Sequence, residues 1–162
     1  MDIFFRPATE NDVPLICKLA HKIWHEHYPS IITVEQIDHM LDTRYSPEVI
    51  ATQIKNGEQY FLACVANEPL AYASVELKTD FYYLHKFYVD VSKHHTGIGT
   101  EFFEYLIKQI DNSKPIKLQV NRMNYKAVNF YFKMGFIIET VGDFNIGNNY
   151  YMNDFVMIRK AG

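Results

Sequence analysis

The chain has 162 residues, 48% hydrophobic and 22% charged, with a formal net charge of −3. That length suits one domain, residues 1–162, around a single sizeable core, and the residue balance is that of a globular protein. With no basic stripe a nucleic-acid partner is not expected, and no apolar run is long enough to span a bilayer, so no membrane is expected either.

The opening MDIFFRPATEND becomes polar too soon for a signal peptide. Cys17 and Cys64 lie far apart and in no metal-type pair, so they read as reduced thiols of a cytoplasmic protein. Ile3 to Arg6 can form a short strand. Thr9 with Asp12 then offers a helix start, and Ile16, Leu19, Ala20 and Ile23 follow at helical spacing. Thr33 with Gln36 repeats the capping signal ahead of Ile37, Met40 and Leu41. Ser46-Pro47 marks a third helix carrying Ile50 and Ile54, ended by Gly57.

Strands follow. Tyr60 to Ala66 and Leu70 to Leu77 read as a hairpin turning through Asn67-Glu68-Pro69, and Phe81 to Val91 is an aromatic strand. After HHTGIGT (94–100) comes a helix, Glu101 to Ile110, with Phe102, Leu106 and Ile110 on one face. Ile116 to Val120 is a short strand, and Asn124 to Met134 a helix ended by Gly135. Phe136 to Val141 and Phe155 to Arg159 are strands separated by a polar Gly/Asn segment. This order predicts an α+β protein in α/β/α layers, with a central mixed, mostly antiparallel twisted sheet flanked by helices.

In FYVDVSKHHTGIGTEFF a strand runs into a turn whose glycines can take positive φ, and a helix begins with free N–H groups aimed at that turn. Such a site suits a pyrophosphate. Taken alone, Gly-x-Gly is better explained as an ordinary strand-to-helix connection. Its context resembles the GNAT superfamily of N-acetyltransferases. The family's central signature, Gln/Arg-x-x-Gly-x-Gly/Ala, falls on His94, His95, Thr96, Gly97, Ile98 and Gly99. Its second, Asn-x-x-Ala-x-x-Phe-Tyr-x-x-x-Gly-Phe, falls on Asn124, Ala127, Phe130, Tyr131, Gly135 and Phe136, and RPATENDVP resembles its opening. The chain departs from the pattern at His94, where a histidine replaces a residue that keeps its grip on phosphate independent of pH.

The resemblance implies a GNAT-type fold, acetyl-CoA as cosubstrate and a primary amine as acceptor, attacked directly through a tetrahedral intermediate. It implies pantetheine contacts from Phe87, Tyr88 and Val89, and a pyrophosphate cradle of His94, His95, Thr96, Gly97, Ile98, Gly99 and Thr100. It also implies a cofactor role for Asn124, with Asn129 and Lys133 reaching its outer part. A bulge in the strand before the glycine turn would open the slot between strands. Tyr131 takes the position of the family's tyrosine that protonates or binds the departing sulfur; as a residue it reads equally as aromatic core. The amine needs a base. Alternation puts His85 on one face with Tyr83, Phe87 and Val89, which makes it the candidate, with Glu76 its rival. Trp24, His25, His27 and Tyr28 are placed to line an amine pocket. His21 and His25 have zinc-like spacing with His27 nearby, but no cysteine or clear carboxylate completes a set, so no metal is expected.

The tail FNIGNNYYMNDFVMIRK resembles that of the polyamine (spermidine/spermine-type) acetyltransferases, and an acidic chain suits a cationic acceptor. Acetylation of a protein N-terminus or lysine, and a catalytically silent CoA-binding sensor, are the alternatives; the resemblance also admits a homodimer. A doubly wound nucleotide-binding domain fits worst, because its glycines follow the first strand.

Overall fold

A computed structural model describes residues 2–90, 92 and 97–162. The elements are β1 (Ile3–Pro7), α1 (Val13–His27), α2 (Val34–Arg44), α3 (Pro47–Lys55), β2 (Gln59–Val65), β3 (Glu68–Leu77) and β4 (Tyr82–Val89). They continue with α4 (Ile98–Lys108), β5 (Ile116–Asn121), α5 (Tyr125–Lys133), β6 (Ile137–Gly147) and β7 (Tyr150–Arg159). The order is the one read from the sequence.

Short-range chemistry sets the helix starts. The Asp12 carboxylate accepts from the Thr9 backbone N–H at 2.9 Å, and the Thr9 hydroxyl oxygen accepts from Asn11 N–H at 3.3 Å. Arg6 donates two bonds to the same carboxylate, at 2.8 and 2.9 Å, which fastens β1 to the entry of α1. Thr33 accepts from Gln36 N–H at 3.1 Å and caps α2. Gln36 itself does not close the box: its amide donates to the Tyr151 carbonyl at 3.1 Å and ties α2 to β7. Ser46 caps α3 through Val49 N–H at 3.3 Å.

Three boundaries differ from the sequence reading. The β2–β3 turn is Ala66-Asn67, with Ala66 at φ 52°, while Glu68 and Pro69 already pair with Val65 and Cys64. The polar Gly/Asn segment is not a separator. It continues both strands, and the turn shrinks to Asn148-Asn149, at φ 52° and 62°, the two left-handed residues a tight I′ hairpin needs. Helix α4 starts at Ile98 rather than Glu101, because Gly97, at φ 76°, turns the chain into it.

The sheet order is β1-β2-β3-β4-β5-β7-β6, and every pairing is antiparallel except β4 with β5. One face packs Ala71, Ala73, Val75 and Leu118 against Phe102 and Phe103 of α4 and Val128 and Tyr131 of α5. The other packs Tyr60, Leu62 and Tyr72 against Ile16, Ile23 and Trp24 of α1, with Ile37 of α2 and Ile50 of α3. Two cores thus sandwich one sheet, as the α/β/α reading requires.

The Arg6 guanidinium, followed by the Thr9 backbone donor, holds the Asp12 carboxyl below its ordinary value against the opposing effect of burial. A lowered folded value stabilises the protein above the unfolded carboxyl's pKa and is lost as pH falls through the folded one. Asp12→Asn is therefore expected to cost about 1–2 kcal/mol at pH 7, with the gap to wild type closing below about pH 4 in urea titrations.

Candidate active site

The sheet is opened at one place. β4 and β5 pair only at Tyr82–Ile116 and Tyr83–Lys117, although both strands run several residues further. Just beyond the last pair, β4 carries a bulge: Ser74 of β3 lies opposite Lys86 and Val75 opposite Leu84, leaving His85 as the additional residue. A bulge bends its strand and increases the local twist. Here it turns β4 away from β5, while β5 stays held along its other edge by β7 from Ile116 to Asn121.

The bulge also reverses the alternation. Tyr82 and Leu84 before it share the α4/α5 face with Phe87 and Val89 after it. Lys86 lies against Tyr45 and Tyr60, and Tyr88 against Trp24 and Tyr72, on the α1–α3 side. His85 therefore does not share a face with Phe87 and Val89, as strict alternation predicts. Its Nε2 lies 2.8 Å from Glu76 and its ring 4.6 Å from that of Tyr83.

A cleft of about 340 Å³ fills the gap and passes between the two faces of the sheet. On one side it is lined by Gly99 of α4 and by Ala127, Phe130 and Tyr131 of α5. Gly99 packs close to α5, and a Cβ there would lie 3.3 Å from the Phe130 ring, which would have to shift by a few tenths of an ångström. At the first turn of α4 Gly97 gives no side-chain cap, and the first helical N–H groups have no acceptor within the helix. The end of β4 is anchored close by, where Asp90 accepts from Lys22 at 2.6 Å and from Ser92 N–H at 2.9 Å.

From the α1 side the cleft is lined by His27 and Tyr28, and across the sheet by Gln119, Asn121 and Asp154. Tyr28 stacks on Trp24 at 4.3 Å and accepts from the Asn124 amide at 3.3 Å. Asn124 also accepts from Ala127 N–H at 3.3 Å, so it caps α5 and faces the cleft at once. Tyr83 donates to Gln119 at 2.7 Å. Burial pushes the Tyr28 and Tyr83 phenols up to about 12 and raises the Tyr131 phenol as well, so all three are neutral at ordinary pH.

A strand meander, a splayed parallel pair and a glycine-capped helix at the splay form the frame expected from the two signatures. A family model described as an acetyltransferase (GNAT) domain matches residues 30–145. The chain belongs to the GNAT acetyltransferase family. A spermidine N(1)-acetyltransferase of Thermoplasma acidophilum is 25% identical, over 99% of this chain and 98% of the relative. Among solved structures, PaiA N-acetyltransferase from T. acidophilum in complex with coenzyme A superposes with a TM-score of 0.82 at 22% identity, covering 99% of both chains. The ribosomal-protein-S18-alanine N-acetyltransferase from Escherichia coli does so with a TM-score of 0.77 at 16% identity, covering 99% of this chain and 95% of the other.

Within this GNAT domain the expected site residues divide. Phe87, Tyr88, Val89, Gly99, Asn124, Tyr131, Tyr28 and His85 converge on the cleft, whereas Trp24 lies buried behind Tyr28. Asn129 and Lys133 are exposed on α5 and do not line it; Lys126, one turn nearer the helix start, does. Glu76 reaches the site only through His85. His94, His95 and Thr96 lie outside the described residues. The three histidines of α1 do not converge: His25 bonds Asp38 at 3.0 Å, while His27 lies 3.4 Å from Asn124. Among the described residues, a set with one donor atom each within 4.8 Å is Glu58, Glu76 and His85. Its carboxylates already meet the ammonium groups of Lys86 and Lys78, at 3.5 and 2.9 Å, which oppose a further cation.

Gln119, Asn121, Lys126 and Asp154 were not singled out from the sequence. For Asp154 a signal was present: a lone carboxylate inside the apolar strand YYMNDFVMIR.

The Tyr131 hydroxyl makes no hydrogen bond to the described residues, and its ring is held by Phe87, Phe130 and Phe136 at 5.5–6.5 Å. Tyr131→Phe is expected to change stability by less than about 0.5 kcal/mol in urea unfolding at pH 7.

Proposed function

We propose that this acetyltransferase moves the acetyl group of acetyl-CoA to a primary amine of a small molecule, a polyamine in particular, by direct attack through a tetrahedral intermediate. The observation that carries the reading is the splay of β4 from β5 with Tyr131 set into the resulting cleft. Support comes from the relative that is a spermidine acetyltransferase and from the similar fold solved with coenzyme A.

The residues fit such a cosubstrate. Among the described residues β4 has no ladder pairing with β5 beyond Tyr83, so the backbone of Leu84 to Tyr88 on that edge would pair with the amide-bearing pantetheine arm. One of its N–H groups is in place to meet the developing oxyanion. The start of α4, with its dipole and first N–H groups that lack acceptors within the helix, suits the pyrophosphate, and His94, His95 and Thr96 precede it in the sequence.

The amine reaches the carbonyl as a free base. His85 takes its proton at Nδ1, because Nε2 is committed to the Glu76 carboxylate. Lys78, and then His85, hold Glu76 below its ordinary value, so it stays ionised and steadies the imidazolium that forms. Tyr131 acts at the departing sulfur. Its phenol is raised by burial, whereas an alkyl thiol sits at about 8.5. It therefore serves by donating a hydrogen bond to the thiolate rather than by giving up its proton outright.

Amines are to be screened with acetyl-CoA while thiol release is followed. Turnover is expected on polyamines, with Tyr131→Phe lowering kcat about 100-fold; equal rates would remove Tyr131 from the chemistry. Coenzyme A binding with no turnover on any amine would favour a silent sensor. His85→Ala is expected to lower kcat/KM about 100-fold and Glu76→Gln about 10-fold. The double variant should match His85→Ala, because Glu76 acts only through His85.

A further inference from the structure

Asp154 stands apart from the other polar groups of the cleft. It is 4% exposed, lines the cleft, and its Oδ1 has no hydrogen-bond partner among the described residues. Its place is set by the ladder: on β7 it lies opposite Asn121 of β5, two residues from Met152, which packs on the α1–α3 side. That is the acceptor side, across the sheet from Gly99 and Phe130.

A buried carboxylate oxygen without a partner is costly, and native proteins rarely keep one without a use. Arg122, the cation that opposes the effect of burial on Asp154, donates to Asp143 at 2.7 Å, and Lys126 also lines the cleft. Around Asp154 the cleft is lined by the Tyr28 phenol, which remains neutral, and by the amides of Gln119 and Asn121. Burial raises the Asp154 carboxyl to about 6, with Arg122 opposing, which is the mark of a group whose counter-charge is not supplied by the protein. Such a wall repels an anionic acceptor and attracts an ammonium.

That ammonium is not the reacting one. A carboxylate paired with the attacking nitrogen would hold it protonated and deny it the lone pair it needs. The base for that nitrogen is on β4, and β4 and β7 are two strand spacings apart across β5, on the order of 10 Å. A chain carrying two amines bridges such a distance; a simple monoamine does not.

We propose that Asp154 is the specificity-determining counter-ion for a second, non-reacting ammonium, so that the acceptor is a diamine or polyamine. The inference rests on the amine-acetylation reading above but is tested by binding. Calorimetry would titrate spermidine into the coenzyme A-saturated protein, wild type and Asp154→Asn. Asp154→Asn should weaken spermidine at least 10-fold while coenzyme A affinity and melting temperature hold. In turnover, the wild-type preference for spermidine over n-butylamine, as a ratio of kcat/KM, should fall at least 10-fold, chiefly through KM for spermidine. Should the variant fold poorly, wild type carrying carbon-13 at its Asp carboxyls gives the same answer: the Asp154 resonance moves with spermidine and stays still with n-butylamine. Equal spermidine affinity in both proteins, an unmoved resonance, or no spermidine binding to wild type would overturn the proposal. Spermidine bound through Asp154 but not acetylated would leave this inference standing and remove the reaction instead. Spermidine and n-butylamine acetylated alike by both proteins would do the reverse.

Discussion

The two-residue length of the β4–β5 pairing is the constraint around which the site is built. A parallel pair normally continues as far as both strands do. Here it stops at Tyr83, and the His85 bulge turns β4 out of the ladder. The released backbone groups are polar and must be met by something. A cleft between two hydrophobic cores is the result, and it needs both cores. Phe102, Phe103 and Phe136 hold one wall, and Trp24, Tyr72 and Tyr60 hold the other. β7 completes the arrangement by holding β5 in the sheet after β4 has left it.

Because the gap cuts through the sheet, the cleft has two chemically different sides. The α4/α5 side offers an uncapped helix start, a close-packed glycine and aromatic rings. The opposite side offers phenols, amides, a His–Glu pair and a carboxylate. Burial accounts for much of the electrostatics. It raises Tyr28, Tyr83 and Tyr131 and keeps them as donors, and it raises Asp154 and leaves it in need of a cation. One physical cause thus keeps the phenols protonated and sets an unusual carboxyl in the same cleft.

Much of this was legible in the chain. Thr9 with Asp12, Thr33 and Ser46 announce helix starts because a capping side chain acts on N–H groups two or three residues away. Gly97 and the Asn124–Phe136 run place α4 and α5 for the same local reason. The errors are also local ones. Asn67-Glu68-Pro69 has turn composition, yet Glu68 and Pro69 are drawn into β3 by pairing with β2. Asn145 and Gly147 read as loop and extend β6, because Tyr151 and Tyr150 stand opposite them. Asn129 and Lys133, expected at the cofactor's outer part, share a helix with Tyr131 and are exposed outside the cleft lining.

The sequence by itself determined the element order, the family and the aromatic, glycine and asparagine positions that line the cleft. Those are set by spacing along one segment. The tertiary structure alone decided which face His85 takes, where the sheet opens, and that Asp154 and Tyr28 line one cavity. A bulge depends on the register between two strands, and an unpartnered carboxylate depends on which segments close around it. Both are relations between residues far apart in the chain, with no periodicity in the sequence to announce them.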